Sequence, residues 1–122
     1  MLMPTYLLAN EFSAFESELR HLTKDVIRYK RGETIIFPGD KRPWHFYVAD
    51  GVASYSFTHI SGRNKIVTFR GAGTIFPFYY DYDSVIMEEL MEFRAFSDMT
   101  VWRIDHKQIK KLVESNMQLQ RP

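Results

Sequence analysis

The chain has 122 residues, 45% of them hydrophobic and 25% charged, with 16 Lys and Arg against 15 Asp and Glu for a formal net charge of +1. That length supports one domain with its own core, and the near-neutral balance supplies no basic footprint for nucleic acid. The absence of cysteine excludes a disulfide framework, thiolate metal ligation and a Cys-held iron–sulfur sensor from these residues, and the apolar runs are too short to span a bilayer as helices.

Residues 1–9 are apolar, broken by Pro4, and show neither the basic start nor the apolar stretch of a secretory signal. The cytoplasm is the expected compartment. From Asn10 to Leu22 the apolar residues Phe12, Phe15, Leu19 and Leu22 recur at helical spacing. Ser13 and Glu16 stand at the positions of a capping box. A strand is expected at Asp25 to Tyr29.

From Tyr29 to Gly73, short runs of β-branched and aromatic residues alternate with Gly-bearing turns at close spacing, the pattern of a small antiparallel sandwich or barrel. Phe37-Pro38-Gly39-Asp40 has Pro and Gly at the centre of a type II turn. Asp50-Gly51, between HFYVA and VASYSFT, predicts a two-residue hairpin. Ser61-Gly62-Arg63-Asn64 predicts a second, joining SYSFTHI to KIVTFR. Ala53, Tyr55 and Phe57 share one face and Ser54, Ser56 and Thr58 the other, which predicts one buried and one wetter face.

After Gly73 the pattern changes. Residues 74–83, TIFPFYYDYD, are aromatic and acidic, and Pro77 argues against a central strand. Ser84 to Met91 predicts a short helix with Ser84 as its N-cap. Strands are expected at Glu92 to Ser97 and Thr100 to Ile104. Asp105, with Gln108 in the reciprocal position, reads as the cap of a helix from His106 to Ser115. That helix would bury Ile109, Leu112 and Val113 and leave Lys107, Lys110 and Lys111 in water.

The central stretch carries a family resemblance. Lys30-Arg31-Gly32-Glu33-Thr34-Ile35, Gly39-Asp40, Tyr47-Val48-Ala49-Asp50-Gly51-Val52-Ala53 and the run from Gly62 to Val67 together resemble the sensor half of the cyclic-AMP receptor and Fnr (Crp/Fnr) family of bacterial transcription regulators. The order and spacing of the glycines carry the likeness, and it extends, less sharply, to Ser115. It implies a mainly β fold, an antiparallel jelly roll of the cyclic-nucleotide-binding kind, with flanking N- and C-terminal helices over residues 1–122. Members of that family continue into a dimerisation helix and a helix-turn-helix that enters the major groove, and neither is present before Pro122. The resemblance therefore implies a homodimer for the full-length protein and DNA contact only through a C-terminal domain.

In that family the cyclic nucleotide is held by a Gly-Glu pair, whose Glu meets the ribose, and by an Arg-Ser or Arg-Thr pair followed by Ala, which meets the phosphate. Counted forward from Gly73, Pro77-Phe78 occupies the place of Gly-Glu. Counted back from Phe93-Arg94-Ala95, Glu89-Leu90-Met91 occupies the place of the Arg-bearing triplet. Exchanging a charge-assisted phosphate contact for a repulsive one costs about 3–6 kcal/mol, so the resemblance implies an inherited fold without its nucleotide. The expected effector pocket comprises Phe76, Phe78, Tyr80, Tyr82, Glu89, Met91 and Arg94, with Arg94 a possible replacement cation. Two readings of residues 76–82 stay open. They line a cavity for an apolar or aromatic effector, or they fill the vacated space.

Other chemistries find less support. Cupin metalloenzymes share the jelly roll and use an H-x-H pair, but His21, His45, His59 and His106 are scattered, and no metal or other cofactor is expected. No Ser-His-Asp order, phosphate-cradling loop or carboxylate pair suggests catalysis. The lysines of the last helix read as a solvated face. The expectation is a non-enzymatic sensor domain of a Crp/Fnr-type regulator, with a small-molecule effector if any, no membrane contact, and an allosteric link from effector to DNA. The alternative is a stand-alone binding module of cupin-like shape.

Overall fold

A computed structural model describes residues 6–37, 44–58, 64–77 and 91–115. Nine strands and two helices are defined among them: β1 Tyr6–Leu8, α1 Glu16–Leu22, β2 Thr23–Tyr29, β3 Thr34–Ile36, β4 Trp44–Asp50, β5 Ala53–Thr58, β6 Asn64–Arg70, β7 Ile75–Phe76, β8 Met91–Ala95, β9 Met99–Asp105 and α2 His106–Ser115. They form two sheets, one in the order β1-β6-β5-β8-β3 and the other β2-β9-β4-β7. Every strand pairing is antiparallel except that of β1 with β6. This is the expected jelly roll.

Two cores follow from the period-two alternation of the strands. Phe46 and Val48 from β4, Ala53 and Tyr55 from β5, Met91, Phe93 and Ala95 from β8, and Met99 and Val101 from β9 meet between the sheets. The opposite faces of β4 and β9 contribute Tyr47, Trp102 and Ile104 to a second core, closed by Leu19 of α1 and by Ile109 and Val113 of α2. The four-stranded sheet is thus apolar on both sides, which explains why HFYVA reads as a nearly continuous apolar run. Strand β2 keeps the alternation, with Ile27 and Tyr29 packed inward and Val26 62% exposed.

Several expectations require correction. The Asp50-Gly51 turn joins no hairpin: β4 pairs with β7 and β9, and β5 with β6 and β8. The chain uses this turn to cross between sheets. Gly51 has φ +93°, and a Cβ there would fall 2.4 Å from the Met99 Cβ and 2.5 Å from the Asp98 carbonyl, so the corner excludes any side chain. The second hairpin does form, with β5 and β6 paired from Ala53↔Arg70 to Thr58↔Asn64.

The N-terminal segment contains a strand, β1, laid parallel to β6. The helix expected from Asn10 starts later, as a 3-10 turn over Ser13–Phe15 and then α1. Its capping box does not form. The Ser13 hydroxyl donates to Asn10 Oδ1 at 3.1 Å, and Glu16 Oε2 accepts a hydrogen bond from the Tyr47 hydroxyl at 3.1 Å. Met91 begins β8 rather than ending a helix; the remainder of the predicted helix, 84–90, and the turn at 38–40 lie outside the described residues. Ser54 and Ser56 form a polar face that is nevertheless covered, at 5% and 8% exposure. β7 stops at Phe76, immediately before Pro77, and lies at the edge of its sheet. Asp105 caps α2, its Oδ1 accepting the Lys107 N–H at 2.7 Å. Among the described residues no helix is long and apolar enough to cross a membrane.

Candidate functional site

The interior of the roll is built around a column of aromatic rings. Phe46 on β4 lies 5.5 Å from Phe76 on β7, Phe76 lies 4.7 Å from Phe93 on β8, and Phe93 lies 4.9 Å from Tyr55 on β5, with interplanar angles of 26°, 17° and 31°. The first two contacts are stacked and the third is tilted, and together they carry the column from one sheet to the other. Phe76 and Phe93 have no exposed surface. Offset stacking of this kind is worth about 0.5–1.5 kcal/mol per pair beyond burial of the ring area.

Arg70, the last residue of β6, turns its side chain into this apolar space and is 2% exposed. Its Cζ lies 5.4 Å from the ring centroids of both Tyr55 and Phe93. Its Nε–H donates to Thr68 Oγ1 at 2.9 Å, which fixes the plane of the guanidinium. Desolvation strengthens such cation–π contacts to about 2 kcal/mol. Chemically, the arrangement sets an oriented guanidinium against the rings of Tyr55 and Phe93. It suits a planar apolar group bearing an anionic or hydrogen-bond-accepting substituent.

A second inward-facing arginine lies further along the roll. Arg103 on β9 pairs with Asp25 on β2, its Cζ lies 4.2 Å from the Trp44 ring centroid, and its Nε is buried with no partner among the described residues. Its ion pair with a neighbouring strand reads as a brace across β2 and β9, whose residues Asp25 and Arg103 are register partners.

Of the residues expected to form the pocket, Phe76 and Met91 are buried together in the inner core. Arg94 is exposed and lies on the other face of β8, where Nε and a terminal nitrogen donate to Glu92 Oε2 at 3.2 and 2.9 Å. Glu92 also accepts from the Thr34 hydroxyl at 2.9 Å. Alternation along β8 separates Arg94 from Phe93 and Met91. Phe78, Tyr80, Tyr82 and Glu89 lie outside the described residues.

Arg70 was missed by reasoning from sequence, although a signal for it existed. In the second hairpin Arg70 faces Ala53, which places it on the side of Tyr55, and an inward-facing arginine on a half-buried sheet stands out. The histidines also differ from a scattered set. His45 and His106 come together outside the roll, with Nε2 of one 2.8 Å from Nδ1 of the other. Among the described residues no three His, Cys, Asp or Glu side chains converge on a metal-sized point.

The inner core thus combines a column of aromatic rings with a buried arginine. The chain belongs to the cyclic nucleotide-binding domain family, whose model matches residues 26–116. A search of curated protein sequences returns no match.

Solved structures share the fold at low identity. The CO-dependent transcription factor CooA from Carboxydothermus hydrogenoformans, in its imidazole-bound form, matches with a TM-score of 0.70 and 16% identity over 91% of this chain and 48% of its own. The Thermus thermophilus catabolite activator protein matches at 0.65 and 18%, over 84% of this chain and 46% of its own. Oxidized CprK in complex with o-chlorophenolacetic acid matches at 0.67 and 11%, over 93% of this chain and 46% of its own. The chain therefore spans about half the length of these proteins.

Proposed function

We propose that the chain is the effector-sensing unit of a Crp/Fnr-type transcription regulator, and that its effector is a flat, partly apolar molecule rather than a cyclic nucleotide. The observation that carries this reading is the column Phe46–Phe76–Phe93–Tyr55 with the Arg70 guanidinium against two of its rings. A cyclic nucleotide asks for a sugar acceptor and a phosphate cation at the places held here by Pro77-Phe78 and Glu89-Leu90-Met91. Pro77 is itself buried, and its carbonyl is engaged by His45. Among the similar structures, CooA is a CO-dependent transcription factor and CprK is in complex with o-chlorophenolacetic acid, an aromatic acid.

In this reading residues 1–122 form one sensor domain, active in the cytoplasm, with no catalytic step of its own. Effector entry repacks the ring column, and the change passes to a dimerisation helix and a DNA-binding domain in the complete protein, which acts as a homodimer. Arg70 takes the role that the family gives to its phosphate-binding arginine. Arg94, forked over Glu92 on the outer face, takes no part.

Calorimetric titration with cyclic AMP and cyclic GMP tests the central point. The expected result is no binding tighter than about 1 mM, near −4 kcal/mol. A micromolar dissociation constant for either nucleotide overturns the reading. Mass spectrometry of small molecules that copurify with the protein is the complementary measurement, and a planar acid is the expected class.

A further inference from the structure

His45 and His106 are separated by 61 positions, yet their rings lie 5.0 Å apart and 25° from parallel on the outer face of β4. His45 is 2% exposed. Its Nδ1 lies 2.5 Å from the Pro77 carbonyl oxygen, and its Nε2 lies 2.8 Å from Nδ1 of His106. A carbonyl only accepts, so the proton on Nδ1 of His45 is assigned by its partner. A single proton then lies between the two rings. His106 Nδ1–H donates to a neutral His45, or a positively charged His45 donates to His106.

The two ends of this chain of hydrogen bonds matter. Pro77 directly follows Phe76, the ring at the centre of the column inside the roll. His106 is the first residue of α2, the helix whose Ile109 and Val113 close the outer core. The path Phe76–Pro77–His45–His106 therefore runs from the inner core, around the edge strand β7, to the root of the C-terminal helix. The apolar packing of α2 is non-directional and lets the helix shift. The paired imidazoles are directional and tie its first turn to one point.

We infer that the His45–His106 pair is a latch that ties the start of α2 to the Pro77 carbonyl, so that displacement of Phe76 is felt at the helix. This rests on the reading of the ring column as the effector site. The latch transmits a change in the position of Pro77 because the Nδ1 and Nε2 sites lie on one rigid ring. A shift at one end must move the other or break a bond.

Nuclear magnetic resonance on the 122-residue chain with 15N-labelled histidine tests the latch without any effector. Phe76→Leu is expected to move the ring-nitrogen resonances of His106. It should also change hydrogen exchange at the Lys110 amide, which in a helix beginning at His106 pairs with the His106 carbonyl. In His45→Leu, Lys110 exchange should rise about tenfold, the equivalent of one hydrogen bond, and Phe76→Leu should then have no further effect at His106. His106→Ala tests the same link from the half-buried helix side should His45→Leu fail to fold, with the same tenfold rise expected. The latch is overturned if Phe76→Leu leaves His106 unmoved in the parent chain. It is equally overturned if Phe76→Leu moves His106 in the His45→Leu background, or if Lys110 exchange is unchanged in His106→Ala. Because no ligand is used, failure here leaves the effector reading standing, and failure of the titrations leaves the latch standing.

Discussion

The ring of Phe76, on the two-residue strand β7, stacks on that of Phe93, on β8, at 4.7 Å and 17°, and so joins the two sheets across the centre of the roll. Both rings are fully buried. A column closed in this way is part of the core and, in the proposed function, the element that an effector must displace or extend.

Phe76→Ala should accordingly cost about 3–5 kcal/mol, the range for truncating a buried aromatic. Denaturant unfolding with a constant slope measures it. A cost within error of zero would mean that the ring borders open space.

Arg70→Lys should cost about 1–2 kcal/mol, because the charge is kept while the flat guanidinium over Tyr55 and Phe93 is lost. The same change should abolish binding of any planar acid found to copurify. A Lys variant as stable as the parent would show that the stacking geometry contributes nothing.

The two corner glycines separate strain from crowding. Gly51 and Gly32 share φ +93°, but an added Cβ meets Met99 and Asp98 at Gly51 and nothing within 4 Å at Gly32. Gly32→Ala should cost about 1–2 kcal/mol from the left-handed backbone alone. Gly51→Ala should cost about 2–5 kcal/mol, since overpacking is added to strain. Equal melting temperatures for the two variants would contradict the contact at Gly51.

Alkaline pH reports on Tyr47. Burial, and then the hydrogen bond and charge of Glu16, raise its pKa from 10.0 to about 12. The folded protein thus holds the neutral phenol more firmly than the unfolded chain does. The associated stability is complete below pH 10 and is lost as pH rises through about 12. Tyr47→Phe gives up the hydrogen bond to Glu16, about 1 kcal/mol at neutral pH, but is spared the alkaline loss. The stability difference between parent and variant should therefore shrink between pH 10 and 12. A constant difference over that range would show that the phenol is not held neutral.

The sequence by itself determined the class of fold, because the features that specify it are local. The hairpin signal between β5 and β6, Pro77 at a strand end and Asp105 at a helix start each act over a few residues and have the expected consequence in the structure. Alternation in VASYSFT, by contrast, set the two faces of β5 but not the covering of its serine face. The ring partners of Phe76 and the partner of His45 depend on which strands share a sheet. Asp50-Gly51 makes the limit plain. The dipeptide encodes a turn, and whether its flanking strands pair or part is decided by β7 and β9, which take both edges of β4. Arg70 belongs to the same class of fact: a charge at a strand end reads as solvated until β5 and β8 of its own sheet bring Tyr55 and Phe93 against it inside the roll. His45 and His106 differ only in scale, since 61 positions of chain separate two rings that meet because β4 and β9 are neighbours and α2 folds back over them. Local propensity chooses the elements, and burial between sheets, which sums contacts from distant segments, chooses their partners.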